Sequence, residues 1–241
     1  VVLVDDLGAT WQPAVTGLPL AGGLSLLDFV GGSDAMETLL YATATTEDDT
    51  DGARRWLYVS ADGARSWTPV GRSGLFANPA RPASFGLLGA SPLYPEVVYA
   101  TITGGDLANP AHPGRRALYR SDDAGRNWTP VWYHDAKSDR YDVGNASWLK
   151  GQWGWTYPPS GIAVDAANPA IVFTTTISSA FLSHDGGKIW REVHAPEGTK
   201  DRQPSGGMMV TSAWSYAIHP KDPSCRYIAL TDYSGWRSTD G

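Results

Sequence analysis

An eight-residue pattern, S-x-D-x-G-x-x-W, returns along this chain at nearly constant intervals and limits what it can fold into more than any other feature. It is complete in Ser183-His184-Asp185-Gly186-Gly187-Lys188-Ile189-Trp190 and in Ser121-Asp122-Asp123-Ala124-Gly125-Arg126-Asn127-Trp128. Ser60-Ala61-Asp62-Gly63-Ala64-Arg65-Ser66-Trp67 carries Ala64 in the glycine position, and Val4-Asp5-Asp6-Leu7-Gly8-Ala9-Thr10-Trp11 lacks the leading serine. Ser238-Thr239-Asp240-Gly241 begins a fifth copy. The aspartates at 6, 62, 123, 185 and 240 are 56, 61, 62 and 55 residues apart, which describes a repeat unit rather than scattered Asp-Gly turns. Locally the octet reads as a turn with a plug. The aspartate accepts hydrogen bonds from backbone N–H groups ahead of it, glycine supplies a positive φ, and the tryptophan carries a large apolar surface back to the sheet.

Strand-like runs fill the intervals in a fixed order. The first unit has them at 24–30, 39–45 and 55–59, the second at 84–89, 97–103 and 117–120, the third at 161–164, 171–177 and 180–182, and the fourth at 213–218, 226–230 and 235–237. The second run of each unit has a related core, Leu40-Tyr41-Ala42-Thr43, Val98-Tyr99-Ala100-Thr101, Val172-Phe173-Thr174-Thr175 and Arg226-Tyr227-Ile228-Ala229. A short fourth strand follows each tryptophan, as in Thr129-Pro130-Val131-Trp132. Four short antiparallel strands per unit, repeated at this length, predict an all-β chain of β-propeller blades, about four of them, within a single domain over 1–241.

Composition agrees and excludes other classes. Among 241 residues there are 27 Gly, 17 Pro and 11 Trp, 42% are hydrophobic and 18% charged, and no apolar stretch keeps a helical period. The net charge of −6 provides no footprint for nucleic acid or an anionic membrane, and no run approaches a membrane span. Cys225 is the only cysteine, so no internal disulfide forms, and its expected role is that of a small buried hydrophobe. Histidines 112, 134, 184, 194 and 219 lack metal-ligand spacing, so neither a metal nor a cofactor is expected.

The octets resemble the Asp-box, or bacterial neuraminidase repeat, and the whole of 1–241 is similar to the propellers that carry it: sialidases, xyloglucan-active endoglucanases and reducing-end cellobiohydrolases, sortilin-type receptors and a photosystem assembly factor. Propellers of those families have six or more blades. The resemblance therefore implies that the chain is part of a larger ring completed by further blades, the alternative being a four-bladed ring, in a secreted or periplasmic protein.

Strand order separates two faces. With strands A to D running up and down, the octets (C–D) and the proline turns at 91–95, 165–169 and 219–223 (A–B) share one face, which excludes Asp165 and Asp222 as catalytic groups. The long segments 46–54, 104–116, 133–160 and 194–212 belong to the other, where binding and catalytic groups on rigid scaffolds usually reside. The richest is Tyr133–Ser160. Its Tyr133, Trp148, Trp153, Trp155 and Tyr157 form a candidate platform for stacking sugar rings, the alternatives being aromatics folded back over the blade edge or a protein-binding patch.

Thr231-Asp232-Tyr233-Ser234-Gly235 resembles the T-D-x-G-G segment that carries a catalytic aspartate in xyloglucan-active propellers, with Ser234 in place of the first glycine. The resemblance makes Asp232 the candidate acid/base. Asp135 is its expected partner, with Asp139, Asp142 or a residue beyond this chain as the alternatives. The competing role for Asp232 is a turn aspartate capping backbone groups. A sialidase site would need three convergent arginines, and no arginine-isoleucine-proline segment is present. The expectation is a glycoside hydrolase of xyloglucanase type acting on a polysaccharide. Its alternative is a non-catalytic propeller that binds glycan or protein through the same face.

Overall fold

The computed structural model describes residues 2–3, 10–18, 24–46, 55–70, 75, 83–103, 117–132, 141–142, 159–176, 180–193, 213–230 and 234–240. It is all-β. A short ribbon pairs β1 (Val2–Leu3) with β2 (Gln12–Pro13). The first blade is β3 (Leu24–Ser33), β4 (Thr38–Thr46), β5 (Arg55–Ser60) and β6 (Thr68–Pro69), and the second is β7 (Ser84–Ser91), β8 (Tyr94–Thr103), β9 (Ala117–Ser121) and β10 (Thr129–Trp132). A two-residue strand, β11 (Tyr141–Asp142), precedes the third blade, β12 (Gly161–Val164), β13 (Val172–Thr175), β14 (Ala180–Ser183) and β15 (Trp190–Glu192). Then come β16 (Ala213–His219), β17 (Asp222–Leu230) and β18 (Ser234–Ser238). Neighbouring strands within each blade are antiparallel, as the propeller reading expects. The chain divides into two compact units, Val1–Val193 and His194–Gly241.

In the first unit the blades are buried on both faces, which explains strands that are apolar almost throughout rather than alternately. On β8, Val98, Ala100 and Ile102 face one cluster with Tyr41, Leu57 and Phe85 of the first and second blades. Val97 and Tyr99, on its other side, join Val172, Phe181 and Trp190 of the third. Three octet tryptophans pack backward into the joint with what precedes them, Trp67 with Ala14 and Leu18, Trp128 in the first–second blade cluster and Trp190 in the second–third, whereas Trp11 is exposed.

The first strands line up side by side. Asp28 Oδ2 accepts from Leu88 N at 2.7 Å, joining β3 to β7, and a Cβ at Gly89 would meet Ile162 Cγ2 of β12 at 2.5 Å. At the strand ends Ser33 N donates to Pro92 O (2.8 Å), and Ser91 Oγ donates to Asp165 O (3.0 Å) of the next blade. Proximity of the A strands, with D strands outermost, makes β3, β7 and β12 the inner edge.

The second unit is a three-stranded sheet, β16-β17-β18, with Tyr216, Ile228 and Trp236 in one cross-strand row. Cys225 is buried, and its thiol donates to Tyr227 Oη at 3.4 Å. No helix among the described residues is long and apolar enough to cross a membrane.

Candidate functional site

The octets form one turn three times over. Each serine hydroxyl donates to its aspartate two residues on, Ser60 to Asp62, Ser121 to Asp123 and Ser183 to Asp185, all at 2.8 Å. The same hydroxyl accepts the backbone N–H four residues ahead, from Ala64 (2.9 Å), Gly125 (2.8 Å) and Gly187 (2.8 Å). The aspartate then accepts the N–H of the residue before the tryptophan, from Ser66, Asn127 and Ile189. Ser238 Oγ begins the same arrangement with Asp240 at 2.7 Å.

The expected need for glycine is only partly met. Two successive residues take positive φ in each turn, and alanine stands at one of them twice, Ala64 at 69° and Ala124 at 58°. The left-handed region costs a residue with a Cβ about 1 to 2 kcal/mol. The Ser60 hydroxyl on Ala64 N and the Glu96 carbonyl on Ala124 N (2.9 Å) hold the two alanines there.

These hydrogen bonds occupy the aspartates. Bonds from the Ser66 hydroxyl, the Ser66 N–H and the Ser60 hydroxyl bring Asp62 down to about 2. Burial works to raise Asp123 and Asp185, but bonds to Asn127 and Ser121, and to Ile189 and Ser183, outweigh it and hold both below the ordinary carboxylate range. A carboxylate so held is a poor proton donor or acceptor near neutrality, so the octet aspartates are structural. Asp165 caps Ala167 N and Asn168 N, and Asp222 Oδ1 accepts from Ser224 N and Oγ, which makes both turn residues as well.

Octets and A–B turns share one face, since Ala124 N donates to Glu96 O and Gly186 N to Ala170 O. The other strand ends lead into the segments in which catalysis was sought. Tyr133, Asp135, Trp148, Trp153, Trp155, Tyr157 and Asp232 all lie outside the described residues, as does Asp139. Their flanks are described. Residues 231–233 connect β17 to β18, whose ends meet at the Leu230–Ser234 pair, away from the octet start at Ser238. Ser234 has φ +61°, a conformation glycine usually supplies, at the very position where the T-D-x-G-G pattern has its first glycine.

Of the alternatives to Asp135, Asp142 has its backbone among the described residues. Tyr141–Asp142 runs parallel to Trp190–Arg191 on the outer edge of the third blade. Four strand spacings of about 4.8 Å separate that edge from β12, about 19 Å in all. Asp28 is the inner-strand carboxylate that sequence reasoning passed over. It sits at a bulge in β3 and accepts from Phe29 N (2.8 Å) and Leu88 N (2.7 Å), tying two blades together. An aspartate inside an otherwise apolar strand was its available signal. Among the described residues no three His, Cys, Asp or Glu side chains come together to hold a metal.

No protein-family model matches the chain, and no curated protein is recognisably similar to it. Solved structures are. A GH74 xyloglucanase from Xanthomonas campestris matches at a TM-score of 0.55 with 18% identity, over 98% of this chain and 37% of that one. YCF48 from Cyanidioschyzon merolae matches at 0.45 with 16% identity, over 88% and 52%. A GH93 alpha-L-arabinofuranosidase of Fusarium graminearum matches at 0.47 with 14% identity, over 95% and 61%. The chain thus spans about a third to three fifths of the length of these proteins. The first likeness establishes the β-propeller fold.

Proposed function

We propose that this chain belongs to a carbohydrate-active β-propeller, with residues 1–241 in one propeller domain whose octets are Asp boxes. Its most favoured activity is hydrolysis of a polysaccharide by carboxylate acid/base chemistry. The observation that supports this reading is the left-handed Ser234 beside Asp232, because it reproduces the backbone demand of the T-D-x-G-G segment despite the missing glycine. Asp232 is the proposed acid/base and Asp135 its proposed partner. Tyr133, Trp148, Trp153, Trp155 and Tyr157 would bind sugar rings on the face opposite the octets, and a secreted or periplasmic location accompanies this assignment. The fold shared with a GH74 xyloglucanase makes a β-glucan backbone the first substrate class to try.

The test is release of reducing ends from xyloglucan and a panel of other polysaccharides by the full protein and its Asp232→Asn and Asp135→Asn variants. Loss of a catalytic carboxyl lowers kcat by about a hundredfold or more. No hydrolysis by the parent protein, or equal activity in both variants, would overturn the reading. Polysaccharide binding without hydrolysis would identify a glycan-binding scaffold instead.

A further inference from the structure

Two successive joints of the first unit are built on one plan but filled differently. At the joint between the second and third blades, Arg120, the residue before an octet serine, lies across the boundary. Its Cζ stands 5.6 Å from the centre of the Tyr99 ring and Nη1 is 3.1 Å from Tyr99 Oη. Nε and Nη2 donate to Asp122 Oδ1 at 2.8 and 2.5 Å. The guanidinium covers Gly186 of the next octet so closely that a Cβ there would overlap Nη1.

At the preceding joint the same framework is present without the cation. Tyr41 takes the place of Tyr99, Val59 that of Arg120, Ala61 that of Asp122, and Ala124 that of Gly186. Where the long side chain is missing, a cleft of about 550 Å3 opens, lined by Val59, Ala61 and Ala124. Glu37, Glu96, Asp122, Asp123 and Arg126 also line it, and at the filled joint Pro95, Ala170 and His184 stand in the places of Glu37, Glu96 and Asp122. The side-chain carboxylates of Glu37 and Glu96 make no hydrogen bond or ion pair among the described residues. Burial first, then the charges of Glu37 and Glu96, push the Tyr41 phenol up, while Arg126 works against them. The cleft therefore lacks a counterpart of Arg120, and among the described residues four carboxylates line it against one cation, Arg126.

We propose that this inter-blade cleft is a docking seat for an arginine side chain of a partner polypeptide, taking in trans the place that Arg120 takes at the next joint. The Ala124 methyl keeps an incoming guanidinium from lying as deep as Arg120 does over Gly186, and displaces it toward Glu37 and Glu96. Arginine suits the seat better than lysine, because a planar group with five donors can serve two carboxylates while stacking on apolar walls. A metal ion does not suit it, since the surrounding carboxylates do not converge as ligands. The seat lies on the octet face, so it is independent of any hydrolysis on the opposite one.

The test is titration of the full protein with acetyl-Gly-Arg-Gly-amide and with its citrulline counterpart, which keeps the shape and removes the charge, followed by amide NMR. The arginine peptide should shift the Ala61, Glu96 and Ala124 amides with a Kd on the order of 1 mM, and the citrulline peptide should bind about tenfold or more weakly. Glu37→Gln with Glu96→Gln should weaken the arginine peptide about tenfold. Val59→Arg, which fills the seat from within, should abolish the shifts, and the carboxamide pair reads the same site if that variant does not fold. Equal binding of the two peptides, shifts elsewhere on the protein, binding that survives the carboxamide pair, or none at all would each overturn the assignment.

Discussion

The hydroxyl of Tyr41 donates to the carbonyl of Pro95, 54 positions ahead in the chain, at 2.8 Å. One blade further on, Tyr99 makes the same bond to Pro169 O at 2.8 Å. In each case the tyrosine of a second strand latches the proline turn of the next blade. Phe173 stands at this place in the third blade and has no hydroxyl to offer. Tyr41→Phe should therefore destabilise the protein by about 1 to 2 kcal/mol, because a buried carbonyl loses its donor while the packing of the ring is kept. Urea unfolding followed by tryptophan fluorescence checks this, and an unchanged midpoint would show that the latch contributes nothing.

Acid should attack the octets within a definite window. Asp62 titrates at about 2 in the folded chain, below the ordinary 3.8, so the unfolded chain takes up its proton first. The stabilisation is complete above the ordinary value and is lost as pH falls through the folded one. Asp123 and Asp185 shift in the same direction. Melting temperatures recorded from about pH 5 to pH 2 should fall steeply for the parent and less steeply for Asp62→Asn. Parallel profiles would dissociate the turn from acid stability.

Thr43 is fully buried and its hydroxyl has no hydrogen-bond partner among the described residues. At the corresponding place in the second blade, Thr101 Oγ1 accepts from Leu87 N at 2.7 Å. Thr43→Val replaces the unsatisfied hydroxyl with a methyl of the same shape and should raise stability by about 1 kcal/mol. Thr101→Val should lower it, because Leu87 N loses its acceptor. Calorimetry of the two variants side by side decides the point.

The octet tryptophans differ in a way their shared pattern hides. Trp67 Nε1 donates to Ala14 O at 3.1 Å and Trp190 Nε1 to Val131 O at 2.7 Å, whereas Trp128 Nε1 is buried without a partner among the described residues. All three are packed, Trp128 beside Phe85 with ring centres 5.6 Å apart. Trp190→Phe removes both ring area and a hydrogen bond. Trp128→Phe removes ring area alone and should be milder by about 1 kcal/mol. Equal losses in chemical denaturation would mean that the Val131 bond has no net value.

The octet period, the strand runs and the sharing of one face by octets and A–B turns were legible in the chain, because turn chemistry and strand burial are written locally at each repeat. The bulge at Asp28 and the cleft at Val59 were not. Each depends on which side chains meet across a joint, and no single repeat encodes that. Ala64 and Ala124 show the limit of reading residue type as conformation: the serine hydroxyl and a carbonyl from the neighbouring hairpin hold positive φ without glycine. Asp142 marks a similar limit, since its assignment to a loop missed the short edge strand formed with β15. Asp232 itself lies outside the described residues, and of its segment only the backbone of Ser234, at φ +61°, adds to what the letters say.

Arg120 lying over Gly186, and Val59 facing Ala124, bear on how such a chain could be copied. Stringing identical copies of the second blade together would set an Arg120 guanidinium against an Ala124 methyl at every boundary, where only a bare α-carbon leaves room for it. Stringing copies of the first blade would leave a hole at every boundary. A repeat free of both defects has to carry an arginine in the place of Arg120 and a glycine in the place of Gly186 within one and the same octet.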